Sequence, residues 1–170
     1  IIDIQFVPKT NQIAIFYFNK SVEYITLDPE KPQSTIQEGL PAFARLFAFS
    51  NNGKLLAMTT DRKIEIYEVG GKHLQSIDTK FHAPFQLAFS LDDQSIAVSG
   101  SRDNMGKLQQ YDLKTGVVNL EIESHEQNIV CFAYSPDGKR IATGGVDNLV
   151  RIWSKDSGRQ LLSFTGHRRT

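Results

Sequence analysis

The 170 residues are 40% apolar and 22% charged, a balance that belongs to globular chains and excludes intrinsic disorder. Nineteen basic and nineteen acidic side chains cancel, so no global field draws the chain to nucleic acid or an anionic membrane. No apolar run approaches a membrane span, and the single cysteine, Cys131, excludes an internal disulfide framework and favours a reducing compartment. Within the apolar run 129–133 it reads as a small buried hydrophobe, because a reactive thiolate needs an electropositive, partly open setting.

Taken in order, the chain reads as short strands separated by turns. The first stretch gives strands at 4–7, 12–18 and 22–27, then connecting loops at Pro29-Glu30-Lys31-Pro32 and over 37–41. The second gives 44–49, 54–58, 63–67 and 73–77, with Gly70-Gly71 in the last turn. The third gives 86–89, 95–99, 107–112 and 117–122, with Lys114-Thr115-Gly116 in the corresponding place. In the last, 128–134 leads into Ser135-Pro136-Asp137-Gly138, where proline presets φ, aspartate bonds its own backbone and glycine accepts positive φ. Strands at 140–143, 149–153 and 160–164 follow, with Asp156-Ser157-Gly158 before the last. The basic residues of this stretch (Lys139, Arg140, Arg151, Lys155, Arg159, Arg168 and Arg169) read as solvated surface. No stretch has sustained helical spacing, so the chain is all-β.

These stretches are copies of one unit. Turn-opening residues stand at 7, 50, 90 and 135, hence 43, 40 and 45 residues apart, and an alanine follows each by seven positions, at Ala14, Ala57, Ala97 and Ala142. Self-similarity at that period means one supersecondary unit reused, each burying its faces against its neighbours.

The last copy resembles the WD-repeat family of β-propellers. The residues that carry the resemblance are Ser124-His125, Ser135-Pro136-Asp137-Gly138-Lys139, Ile141-Ala142-Thr143-Gly144-Gly145-Val146-Asp147 and Val150-Arg151-Ile152-Trp153, with Thr165-Gly166-His167 like the entry to a further repeat. The other copies match only in the strand-turn core and in Tyr67 and Tyr111 near the end of the third strand. The resemblance implies a β-propeller of four-stranded antiparallel blades, at roughly 1–38, 39–80, 81–123 and 124–166, with 167–170 starting another. It implies a ring of about seven blades, of which four would form an open arc with two apolar faces exposed; a closed four-bladed ring is the alternative. The opening Ile1 and the terminal repeat-like Gly166-His167 make both ends look cut.

The resemblance also implies a hydrogen-bonded structural chain within a blade, supplied here in full only by His125, Thr143, Asp147 and Trp153. Val98, Met58 and Ile15 stand where Thr143 does, Asp61 and Asp103 retain the turn aspartate, and 104–106 reads as a short insertion, so the degenerate blades are expected to rely on packing. His125, Thr143 and Asp147 also have the residue types of a catalytic triad, but a Trp donor closing the chain has no part in acyl transfer. The four histidines show no metal-ligand spacing, the paired glycines match no phosphate-cradling pattern, and no cofactor is expected.

The expected function is a non-catalytic, intracellular (cytoplasmic or nuclear) scaffold or adaptor that binds other proteins or short peptide motifs, besides further blades of its own chain. The resemblance places ligands on the face that bears the turn aspartates. Thr60, Arg62, Arg102, Asn104, Gln127, Asn128, Val146 and Asn148 are then the candidate contacts. The alternatives are a component of a nuclear or nucleolar ribonucleoprotein assembly, though the neutral charge argues against direct nucleic-acid contact, and a lactonase-like propeller enzyme sharing the Ser-Pro-Asp-Gly turn.

Overall fold

A computed structural model describes residues 1–41, 44–60, 62–79, 81, 83–102, 105–125 and 127–165, with Arg102, Ser124 and His125 described as backbone. The described residues contain no helix, and their strands form four separate antiparallel sheets of four. The chain divides into two compact units, Ile1–Asp78 and Thr79–Thr170.

The first unit holds β1 (Asp3–Val7), β2 (Gln12–Tyr17), β3 (Ser21–Thr26) and β4 (Ser34–Gln37) in one sheet. Its second sheet holds β5 (Phe47–Phe49), β6 (Leu55–Thr59), β7 (Lys63–Glu68) and β8 (His73–Asp78). The second unit pairs β9 (Pro84–Phe89), β10 (Ser95–Arg102), β11 (Met105–Asp112) and β12 (Val118–His125), then β13 (Ile129–Tyr134), β14 (Arg140–Gly145), β15 (Leu149–Ser154) and β16 (Gln160–Thr165). Every sheet is an up-and-down meander in chain order.

The turn between the first two strands is built the same way in three sheets. Ser50, Ser90 and Ser135 each donate their hydroxyl to the carboxylate or amide oxygen two residues on, at 2.9, 2.5 and 2.5 Å, and each hydroxyl accepts the N–H five residues on. The fourth residue of the turn, Gly53, Asp93 or Gly138, has positive φ. The first sheet lacks the serine. There Pro8 presets φ and the positive φ falls one residue earlier, on Lys9, where a type II turn requires it.

Within each unit, one rule governs how the sheets stack. The face that carries the repeat's alanine packs against the opposite face of the next sheet. In the first unit Val7, Ala14, Phe16, Val22 and Tyr24 meet Leu56, Met58, Phe47 and Phe49; in the second Ala88, Ala97, Leu108, Leu120 and Ile122 meet Ile129, Phe132, Tyr134, Ile141 and Trp153. Alanine at the middle of a strand lets the neighbouring sheet's large residues approach, and fully burying a side chain such as Phe16 contributes about 1.5–3 kcal/mol. Glutamine amides tie the sheets together. Gln86 Nε2 donates to the Phe132 carbonyl at 2.9 Å, and its Oε1 accepts the Phe132 N–H at 2.7 Å, as a neighbouring strand would. Gln5 Nε2 reaches the Phe47 carbonyl at 3.2 Å, and Gln37 takes the Tyr24 hydroxyl and the Gly70 N–H while donating to the Gly71 carbonyl.

Among the described residues, the first and the fourth sheet each expose an apolar face. The first sheet exposes Ile4, Phe6 and Ile36 beside the half-buried Ile13, Ile15 and Ile25. The fourth exposes Cys131, Ala133, Leu162 and Phe164 on its alanine face. Cys131 is therefore not the buried hydrophobe its apolar neighbours suggest: it lies on a face that carries no packed sheet, across from Gly144.

Other differences are local. Ser34–Gln37 is a fourth strand, which a short polar run does not announce because its partners lie on β3. Within the short insertion expected at 104–106, Met105 and Gly106 are paired residues of β11 that lengthen the β10–β11 hairpin up to Arg102 opposite Met105. The third sheet likewise runs to His125. Asp61 and Asp103 lie outside the described residues.

The turn carboxylates make stability acid-sensitive. The Ser90 hydroxyl, then the Gln94 N–H and Lys155, hold Asp92 below its ordinary 3.8, and Ser135 does the same for Asp137. A carboxyl whose folded value lies below its unfolded value stabilises fully above the unfolded one, and that stabilisation is lost as pH falls through the folded one. The thermal midpoint should therefore drop on acidification below about pH 4, and more shallowly in Ser90→Ala/Ser135→Ala, as calorimetry across that range would show.

Candidate interaction surface

The fourth sheet contains part of the expected polar chain. Thr143 on β14 and Trp153 on β15 share a face, and the indole Nε1 donates to the Thr143 hydroxyl at 2.8 Å with both residues buried. Asp147, in the β14–β15 turn, accepts the Leu149 N–H at 3.1 Å and pairs with Arg151 at 2.8 Å. The two charged side chains are only 9% and 11% exposed, so the pair is largely withdrawn from water. The His125 side chain lies outside the described residues. Arg151 is thus not solvated surface: it sits opposite Thr143 in the ladder, and strand alternation turns it inward. Lys155 also leaves the solvated class, reaching Asp92 at 3.5 Å.

The same ladder position is polar in every sheet. Glu23, Glu65, Gln109 and Arg151 stand opposite Ile15, Met58, Val98 and Thr143. In the third sheet Tyr111 donates to Gln109 Oε1 at 2.7 Å, and Gln109 Nε2 donates to Glu121 at 2.9 Å. Lys107, nearly buried, pairs with Glu123 and lies 4.0 Å from Glu121. In the second, Glu65 accepts from Ser76 at 2.5 Å and lies 2.8 Å from His73 Nε2. In the third sheet packing is not all that stands in for the missing threonine and tryptophan. A substitute polar chain forms there, because the buried Tyr111 hydroxyl requires a partner. Its signal in sequence is the recurrence of a polar residue in the middle of each third strand.

The turns at one end of the second unit form a continuous surface. Gly106 brings the extended β10–β11 hairpin against the loop before β13, where an added Cβ would come within 2.0 Å of the Gln127 carbonyl and 2.7 Å of the Ile129 N–H. The Val146 N–H donates to the Asn128 carbonyl at 3.0 Å, joining that loop to the β14–β15 turn. Gln127, Val146 and Asn148 are exposed there, Asn128 is half-buried, and Asn148 holds φ at 63°. The backbone of Arg102 closes the adjoining hairpin; its side chain and Asn104 lie outside the described residues. Thr60 and Arg62 belong to the first unit, where Thr60 bonds the Lys63 carbonyl at 2.9 Å in the β6–β7 turn. Among the described residues no group of three His, Cys, Asp or Glu side chains has metal-binding geometry.

Residues 116–154, from the turn before β12 through β15, match the family model described as WD domain, G-beta repeat. The chain thus carries a WD repeat over this stretch and is similar to WD-repeat proteins. Its four sheets are propeller blades. Similar proteins include the periodic tryptophan protein 2 homolog of Dictyostelium discoideum, 32% identical over 103 residues, covering 60% of this chain and 11% of that protein. The probable cytosolic iron-sulfur protein assembly protein 1 of Kluyveromyces lactis is 32% identical over 120 residues, covering 62% and 35%. The protein groucho of Drosophila melanogaster is 37% identical over 79 residues, covering 46% and 10%. The chain thus spans between about a tenth and a third of the length of these relatives.

Asp147→Ala should destabilise the last blade by about 1–3 kcal/mol, because it removes the carboxylate that the Arg151 guanidinium and the Leu149 N–H bond. Replacing both partners, as Asp147→Ala/Arg151→Met, should recover part of that loss. Chemical denaturation of both variants checks this: equal losses would mean that the Asp147–Arg151 pairing is not what the substitution costs.

Proposed function

We propose that this chain is part of a non-catalytic, intracellular scaffold that binds other proteins through the turn end of its blades. The observation that carries the reading is the surface in the second unit. Gly106 and the Val146–Asn128 hydrogen bond join its turns, while Gln127, Val146 and Asn148 face solvent. A joined set of turns with interchangeable exposed side chains suits recognition. The hydroxyl of Thr143 is engaged by Trp153, and the carboxylate of Asp147 by Arg151. That arrangement favours a structural role for the residues that resemble a triad. Arg62 and Arg102 suit acidic or phosphorylated motifs. The matches to WD-repeat proteins support an interaction module, and an iron-sulfur protein assembly protein among them is one setting in which such a module is used.

The test is recovery of the tagged full protein under native conditions, with stoichiometry by mass spectrometry, with and without nuclease. A stoichiometric set of proteins that survives nuclease is the expected result. Partners lost on nuclease treatment would favour the ribonucleoprotein alternative, and a protein recovered alone would overturn the scaffold reading.

We also propose that the two open blade faces are covered by further blades of the same ring. Ile4, Phe6 and Ile36 on one, and Leu162 and Phe164 on the other, are large apolar side chains in rows that only a packed sheet matches. The 170-residue segment alone should self-associate with rising concentration in analytical ultracentrifugation. A monodisperse, cooperatively melting monomer would count against the larger ring.

A further inference from the structure

The first unit contains a cleft of about 740 Å³ between its two blades, opening at the β2–β3 hairpin. Its floor is the apolar seam of Phe16, Val22, Leu40 and Phe47. Lys20 and Arg45 stand at the mouth, both exposed, and no carboxylate is among the described residues that line it. No ion pair of either cation occurs among the described residues. Their backbones are fixed while their side chains are free to reach: the Lys20 carbonyl accepts the Leu40 N–H at 3.2 Å, and the Arg45 N–H donates to the Thr59 carbonyl at 3.0 Å. Lys20 also holds φ at 66°, a left-handed conformation costly for a residue other than glycine, asparagine or aspartate. Phe18, 80% exposed at the rim, extends the apolar surface outward.

We propose that this cleft binds a short peptide segment of a partner protein that carries a large apolar side chain next to acidic residues. The apolar residue fills the seam between the blades, and the neighbouring carboxylates pair with Lys20 and Arg45. A cavity of this size takes one or two large side chains, and the two cations select acidic over basic neighbours. The chain is neutral as a whole, so that selectivity is a property of the cleft and not of the protein's field. The site involves no residue of the second unit and therefore goes beyond the surface proposed above.

Selection of a random dodecapeptide library on phage against the full protein tests this. The expected result is enrichment of peptides with Phe, Leu, Ile or Trp adjacent to Asp or Glu. Their affinity should weaken with salt and fall at least tenfold in Lys20→Glu/Arg45→Glu, a pair of exposed substitutions that should leave the unfolding midpoint unchanged. Val146→Glu, in the second unit, should bind the same peptides as the parent does. Failure to select any peptide, enrichment without acidic residues, or equal binding by Lys20→Glu/Arg45→Glu would overturn the proposal. Loss of binding in Val146→Glu alone would move the peptides to the second-unit surface and overturn it too.

Discussion

Phe16 and Phe47 lie with ring centroids 4.0 Å apart across the seam between the first two blades, and the contact shows what the whole architecture leans on. A four-stranded sheet is one layer thick and cannot bury its apolar face by itself. Each blade becomes stable only when its alanine face receives the aromatic and aliphatic face of the next. Alanine recurs with such regularity because a larger residue in that position would hold the blades apart. The same constraint leaves large side chains in water wherever a blade has no successor.

Once the seams are packed, the polar residues have little freedom. A tyrosine or tryptophan late in the third strand has its ring in the seam and its polar atom within the blade, where water is excluded. The fourth blade meets that demand with threonine, the third with glutamine and glutamate. The two solutions differ in chemistry and in place: Thr143 lies on the second strand of its sheet, whereas Gln109 lies on the third strand of its own, opposite Val98. The polar chain is therefore a requirement of burial that several residue sets satisfy, and its loss from the sequence pattern does not mean its loss from the structure.

The turns were the most legible part of the fold, since Ser-x-Asp-Gly carries its own hydrogen bonds and its own positive φ within a few residues. Strand order followed, because hairpins this short leave no other connection. What the sequence concealed depends on neighbours distant along the chain. Arg151 looks like surface until the ladder places it opposite Thr143, and Cys131 looks buried until one asks which sheet would cover it. Ser34–Gln37 has too little apolar character to read as a strand, and its pairing with β3 alone makes it one. Met105 and Gly106 read as an insertion because spacing cannot tell a longer loop from a longer hairpin. Of the candidate surface, the membership of Gln127, Asn128, Val146 and Asn148 could be read from the turns, whereas their junction through Gly106 could not.

The Gln86 amide has a mechanical consequence. It binds one residue of the next blade's first strand by donor and acceptor together, in the manner of a ladder rung laid across the seam. Apolar packing resists separation of two blades but offers little resistance to sliding, because one greasy row is much like the next. A two-point hydrogen bond to the N–H and carbonyl of one residue must break before the seam can slide. Under a shearing load the seam would hold its register until both bonds broke at once, so the glutamine works as a detent between surfaces that would otherwise glide.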